Sequence, residues 1–225
     1  MPGLVILAAL ALLILALLAP LLFGELMAVG LGKLGLEPGM AATLVMAIII
    51  GGFINIPLRR IIREDTVAVH PFAIFGLSGV LPRLQRMQRE TVIAVNLGGC
   101  VIPVLLAAYE LAHVAAHGVG AFISLMLATA ANCILCYHVA RPVPGIGITM
   151  PGLVSPLAAA VLALVVAPDH APPVAFIVGV LGPLIGADLL HLRDFGTRMA
   201  GMVSIGGAGT FDGIVLSGIL AAYLA

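Results

Sequence analysis

Asp188 and Asp212 are the residues of this 225-residue chain whose type and setting most directly imply chemistry. Each lies in an apolar stretch, Gly182-Pro183-Leu184-Ile185-Gly186-Ala187-Asp188-Leu189-Leu190 and Ser204-Ile205-Gly206-Gly207-Ala208-Gly209-Thr210-Phe211-Asp212. A carboxylate inside a membrane span costs about 2.5–3.5 kcal/mol, so one that is kept there has a task. Two such groups can share hydrolysis, one taking a proton from water while the other protonates a carbonyl oxygen. Asp188 precedes Arg193 by five residues, about 7–8 Å of helix from a basic loop. Gly206, Gly207 and Gly209 disfavour a continuous helix before Asp212, so the regular helix is expected to start near Thr210, a good N-cap type. The helix dipole then favours the anion at Asp212, in a first turn, and the neutral acid at Asp188, near a helix C-terminus. The same three glycines would let an extended substrate backbone approach closely, and with Asn55 and Asn96 they form the candidate binding set.

Other readings use some of the same residues. Asn55, Asn96, Asn132, Asp188 and Asp212 could line a proton or cation path, with Pro57, Pro103 and Pro156 breaking helices around it, as in a small ion-coupled transporter. A scaffold would use both carboxyls as caps or hydrogen-bond acceptors. Cys133 and Cys136 have C-x2-C spacing, but no second pair or histidine cluster completes a zinc site, so they read as small helix-packing residues like Cys100. His113 and His117 have the i, i+4 spacing of a metal pair, with Glu110 one turn earlier, but lack the glutamate of a zinc-protease motif and fall at a span end. Neither metal nor cofactor is expected. Ser78 lies before Gly79, and Ser204 and Ser217 lack a histidine after them, which disfavours an intramembrane serine protease, and no lysine follows the glycines at 206–209 to make a phosphate loop. Glu25, Glu37, Glu64, Asp65, Glu90, Glu110, Asp169 and Asp194 fall in expected loops or span ends, where water solvates them.

The elements that must position these groups follow from composition. Hydrophobic residues make up 62% and charged residues 9% of the chain, against about 45–50% and about 25% in soluble proteins. That excludes disorder and a separate soluble catalytic domain. Ten basic residues against ten acidic ones, with no basic tail, give a nucleic-acid partner no support. Lengths and breakers predict seven spans, at 4–23, 39–57, 91–109, 119–140, 152–167, 174–190 and 205–224. The first lacks the basic start and short core of a cleaved signal peptide and reads as a retained span. Arg59, Arg60, Arg63, Arg83, Arg86 and Arg89 all lie between the second and third spans, which places that loop in the cytoplasm. Arg141, Arg193 and Arg198 then also fall inside and only Lys33 outside, giving a cytoplasmic N-terminus and an outside C-terminus. The segment at 66–82 is apolar enough to enter the bilayer, but a crossing would split the arginines between two faces. It is expected to be re-entrant or interfacial.

Two resemblances follow from these residues. Ala187-Asp188-Leu189-Leu190 on the sixth expected span and Gly209-Thr210-Phe211-Asp212-Gly213-Ile214 on the seventh resemble the aspartyl intramembrane proteases of the presenilin type. That group places one catalytic aspartate after a tyrosine on the sixth span and another at the end of Gly-x-Gly-Asp on the seventh. Ala187 and Phe211 replace the tyrosine and the second glycine, and Pro151-Gly152-Leu153 resembles the group's Pro-Ala-Leu motif but precedes both aspartates. The resemblance implies Asp188 and Asp212 as a catalytic dyad acting on a membrane-embedded peptide. Over the whole chain, Gly52-Phe53-Ile54-Asn55-Ile56-Pro57-Leu58, Asn96-Leu97-Gly98-Gly99, Met150-Pro151-Gly152-Leu153 and Ser204 to Ile214 resemble an uncharacterised prokaryotic membrane family, domain of unknown function 1614. The expected protein is a single all-α integral membrane domain over 1–225. It is a bundle of about seven helices in the cell membrane, with the 66–82 segment at the interface. Its function is an aspartyl hydrolase or, alternatively, a transporter of a small solute.

Overall fold

A computed structural model of the chain describes residues 2–69, 83–143, 147–192, 201–207 and 213–225. Helix α1 spans Pro2–Gly32 and is apolar apart from Glu25, and Gly35, at φ 79°, turns the chain after it. Helix α2 runs over Pro38–Gly51, opened by Pro38, whose missing N–H would lack a partner in the first turn anyway. The chain then leaves helix. Strands β1 (Asn55–Val69) and β2 (Arg83–Asn96) pair antiparallel from Asn55↔Asn96 out to Val69↔Arg83. Strand β5 (Gly201–Ile205) adds parallel to β2, giving the order β1-β2-β5.

The remaining elements are helical, apart from a short β3–β4 ribbon. A π-helical turn, Leu97–Val101, leads into α3 (Ile102–Ala116), which is followed by α4 (Val119–Val139). Strands β3 (Arg141–Val143) and β4 (Gly147–Thr149) pair with each other and lead into α5 (Val154–Val166). A single 3-10 turn, Pro168–His170, precedes α6 (Ala171–Leu181), which widens into a second π-helix, Gly182–Leu189. Helix α7 is Gly213–Leu224.

Helix α6 is the centre of the core, with α3, α4, α5 and α7 around it. Val174, Ala175, Ile177, Val178 and Val180 on it are fully buried, together with Leu125 of α4 and Ala159 of α5. Its crossing with α7 is close because Gly179 and Gly218 carry no Cβ: one on Gly179 would stand 2.7 Å from the Ser217 carbonyl oxygen. Gly30 gives α1 the same access to Ile219 of α7, and the Lys33 ammonium donates to the Tyr223 carbonyl oxygen at 2.7 Å, tying the two ends together. The outer faces of the helices are also apolar. Val119, Leu127, Val161 and Val165 are at least 60% exposed, as lipid-facing residues would be.

The described residues are mostly helical and include seven α-helices, in line with the expected bundle. Three continuous helical stretches are long and apolar enough to cross a membrane: Leu97–Ala116, Val119–Val139 and Pro168–Leu189. The sheet was not part of the all-α expectation. The second expected span stops at Gly51 rather than at 57, and the third begins at Leu97 rather than at 91. Gly52 to Ile54 turn the chain, and the other residues lost, Asn55 to Pro57 and Thr91 to Asn96, are strand. The strand residues include β-branched side chains (Ile56; Thr91, Val92, Ile93, Val95), which suit a pleated, half-buried surface. Thr66 to Val69, taken with the interfacial segment at 66–82, belong to β1, and residues 70–82 lie outside the described residues.

Candidate functional site

Asp188 stands near the end of the π-helix that continues α6. Pro183 cannot donate a backbone hydrogen bond, and the chain accommodates it by widening: Leu190 N–H donates to the Ile185 carbonyl oxygen at 3.0 Å, an i to i−5 bond. Helix α4 satisfies carbonyls along this stretch. Asn132 Nδ2 donates to the Val178 oxygen at 3.0 Å, and the Cys133 thiol to the Leu181 oxygen at 3.6 Å. Gly182 and Gly186 are required for that approach, since a Cβ on either would collide with Asn132 or with the Cys133 carbonyl. Asp188 itself is half-buried. It lines a cavity of about 230 Å³ whose walls include Thr149, Met150, Gly152, Pro183, Gly213 and Ile214. Thr149 and Met150 also line a neighbouring cavity of about 560 Å³, bounded by His138 and Arg141. One turn beyond Asp188, His191 Nδ1 donates to the Ala187 oxygen at 2.8 Å and its ring stacks on Tyr137. Asp212 and Gly209 lie outside the described residues; Gly213, which follows Asp212 in the chain, is in the wall of the Asp188 cavity.

Asn55, Asn96 and Gly206 come together at a second place, where the sheet meets the helix ends. Asn96 is fully buried. Its Nδ2 donates to the Gly52 oxygen at 2.7 Å and to Asn55 Oδ1 at 3.0 Å, while its Oδ1 accepts from Gly99 N–H at 2.7 Å and so caps the π-turn. Ser204 of β5 donates to Asn55 Oδ1 at 2.6 Å. Glycines permit this junction: Gly98 packs on Gly51, Gly99 on the Gly206 carbonyl, and Gly206 itself has φ 68°. Gly207 follows, with its N–H donating to the Ser204 oxygen. The Asn96 amide and Asn55 Oδ1 are therefore hydrogen-bonded within the protein, where they join β1, β2, β5 and the π-turn before α3.

A third polar group joins Asn132, which the transport reading placed on an ion path, to Ser155 and Ser217. Ser217 Oγ donates to Ser155 Oγ at 2.7 Å, and Asn132 Nδ2 reaches the same Ser155 Oγ at 3.1 Å, so α4, α5, α6 and α7 are linked through side chains with at most 1% exposure. The available signal was three polar residues, Asn132, Ser155 and Ser217, each inside an apolar span. Cys136 donates weakly to Asn132 Oδ1 at 3.9 Å. His113 and His117 each turn Nδ1 back to the carbonyl four residues earlier, at 3.0 and 2.9 Å, and His117 packs on His170. Among the described residues, no group of three or more metal-ligating side chains forms. Glu110 corrects an expectation: instead of meeting water at a span end it is 4% exposed, and its Oε1 has no hydrogen-bond partner. The reason is that α3 continues to Ala116, which carries Glu110 onto the buried face with Leu106, Ala107 and Val114.

No curated protein and no solved structure matches the chain. A family described as "Protein of unknown function (DUF1614)" matches residues 49–224, that is 176 of 225. The match takes in all three polar groups, the sheet and both π-helices, and the chain belongs to this family.

Proposed function

We propose that the protein is an aspartyl intramembrane hydrolase in which Asp188 and Asp212 act on a peptide bond of a membrane-embedded substrate. The observation that carries this reading is that Asp188, on a widened helix, shares its cavity with Gly213, the residue covalently joined to Asp212. The flanking cavity beside His138 and Arg141 offers a route for water. In the reaction, one carboxylate takes a proton from water as the water oxygen bonds to the peptide carbon, and the other, neutral, carboxyl protonates the carbonyl oxygen. The gem-diol then collapses, the C–N bond breaks and the amine leaves with a proton. Met150 and Gly152, which wall the cavity, would flank the scissile bond. The protein sits in the cell membrane as a multi-pass bundle, with the arginine-rich hairpin and the N-terminus in the cytoplasm and the C-terminus outside. Gly209 admits the substrate backbone, whereas Gly206 and Gly207 are packed against Gly99, Cys100 and Ser204.

The test is cleavage of a single-span reporter by the purified protein in liposomes. Asp188→Asn and Asp212→Asn should each lower the rate by about 10²–10⁴-fold. Undiminished cleavage in either variant would remove the dyad. Loss of proton or cation flux in the same variants, without cleavage by the unmodified protein, would instead establish the transport reading.

A further inference from the structure

Another cavity lies between one face of the sheet and the helices, and Asp188 is not among the residues that line it. It encloses about 890 Å³, in the upper range of small-molecule sites. Its floor is Ile61, Ile93, Val95 and Ile205 from all three strands, and its walls come from α3 and the second π-helix. Apart from Cys100, one lining residue is not hydrocarbon: Arg59. A defect in strand pairing puts it there. Pro57 pairs with Ala94 and Arg59 with Ile93, so Leu58 is an extra residue in β1, a β-bulge. Without it, Leu58 would face Ile93 and Arg59 would point to the opposite side of the sheet. The bulge turns the guanidinium onto the apolar face.

We infer that this groove holds one acyl chain of an anionic phospholipid, with the lipid phosphate on Arg59. A guanidinium offers a phosphate two parallel N–H donors, and a single cation beside an apolar trough matches an amphiphile with one anionic head. The groove also lies where the start of α3 and the end of the second π-helix meet the sheet, the level at which headgroups would meet a bundle crossing the bilayer. This site does not depend on the aspartates.

The chain contains no tryptophan, so Leu189→Trp at the groove wall provides a single fluorophore. The probe is phosphatidylglycerol with brominated acyl chains, present as a minor component of phosphatidylcholine bilayers, compared with brominated phosphatidylcholine at the same fraction. Expected is about a fivefold preference for the anionic lipid, retained in Arg59→Lys and lost in Arg59→Gln. Soluble glycerophosphate at matched ionic strength should not displace the lipid. Equal quenching by the two lipids, a preference that survives Arg59→Gln, or displacement by glycerophosphate would each overturn the assignment.

Discussion

Asn132 and Asn96 are the amides that the bundle can least easily lose. Asn132 holds the Val178 carbonyl and Ser155 with a fully buried side chain. Asn132→Ala leaves the Val178 oxygen without this donor beside a proline-disrupted helix, and it should lower stability by about 1–3 kcal/mol, read from denaturant unfolding in micelles. A loss below about 0.5 kcal/mol would mean that the amide bonds contribute nothing net. At this scale the sequence pointed to the right residue types more reliably than to their roles. Asn55 and Asn96 stood out as polar groups in apolar runs, yet both are bound to the protein itself. Glu110 looked solvated because the third span was expected to end at 109, whereas α3 runs to Ala116, and a shift of one or two turns decides whether a side chain meets water or the core.

Among the elements, the π-helix at Gly182–Leu189 determines where Asp188 points. Replacing Pro183 with alanine restores a backbone donor and permits ordinary α-helix, which would turn every later residue by about 100° per residue gained. Pro183→Ala should therefore keep the fold, judged by circular dichroism and a monodisperse elution profile, and reduce reporter cleavage by at least about tenfold. Unchanged cleavage would show that the widened turn does not position the aspartate. Helices α4 and α5 were readable almost to the residue, since a long apolar run between breakers has few alternatives. The β1–β2 hairpin was not. Its arginines read as a topological signal and its β-branched ends read as membrane, and only pairing over the whole length of both strands makes them one element. The bulge at Leu58 was invisible for the same reason, because it exists only relative to Ala94 and Ile93 on the partner strand.

At the scale of the molecule, the strands carry the arginines of the loop expected in the cytoplasm, and Lys33, the one basic residue expected outside, is tied to the end of α7. The proposed orientation predicts that a cysteine placed at Ile62 reacts with a membrane-impermeant maleimide only from the cytoplasmic side, and one placed at Lys33 only from outside, in a background with Cys100, Cys133 and Cys136 replaced by alanine. Labelling of both positions from one side would overturn the seven-span arrangement. The central claim is that Asp188 and Asp212 face each other across a wet cavity rather than serving separate ends of the bundle. In the same cysteine-free background, Asp188→Cys combined with Asp212→Cys, treated in native membranes with a short thiol-bridging reagent, tests it most directly. The account predicts an intramolecular bridge between positions 188 and 212 and none when Asp188→Cys is combined with Asn55→Cys; a bridge from 188 to 55 with none from 188 to 212 would contradict it.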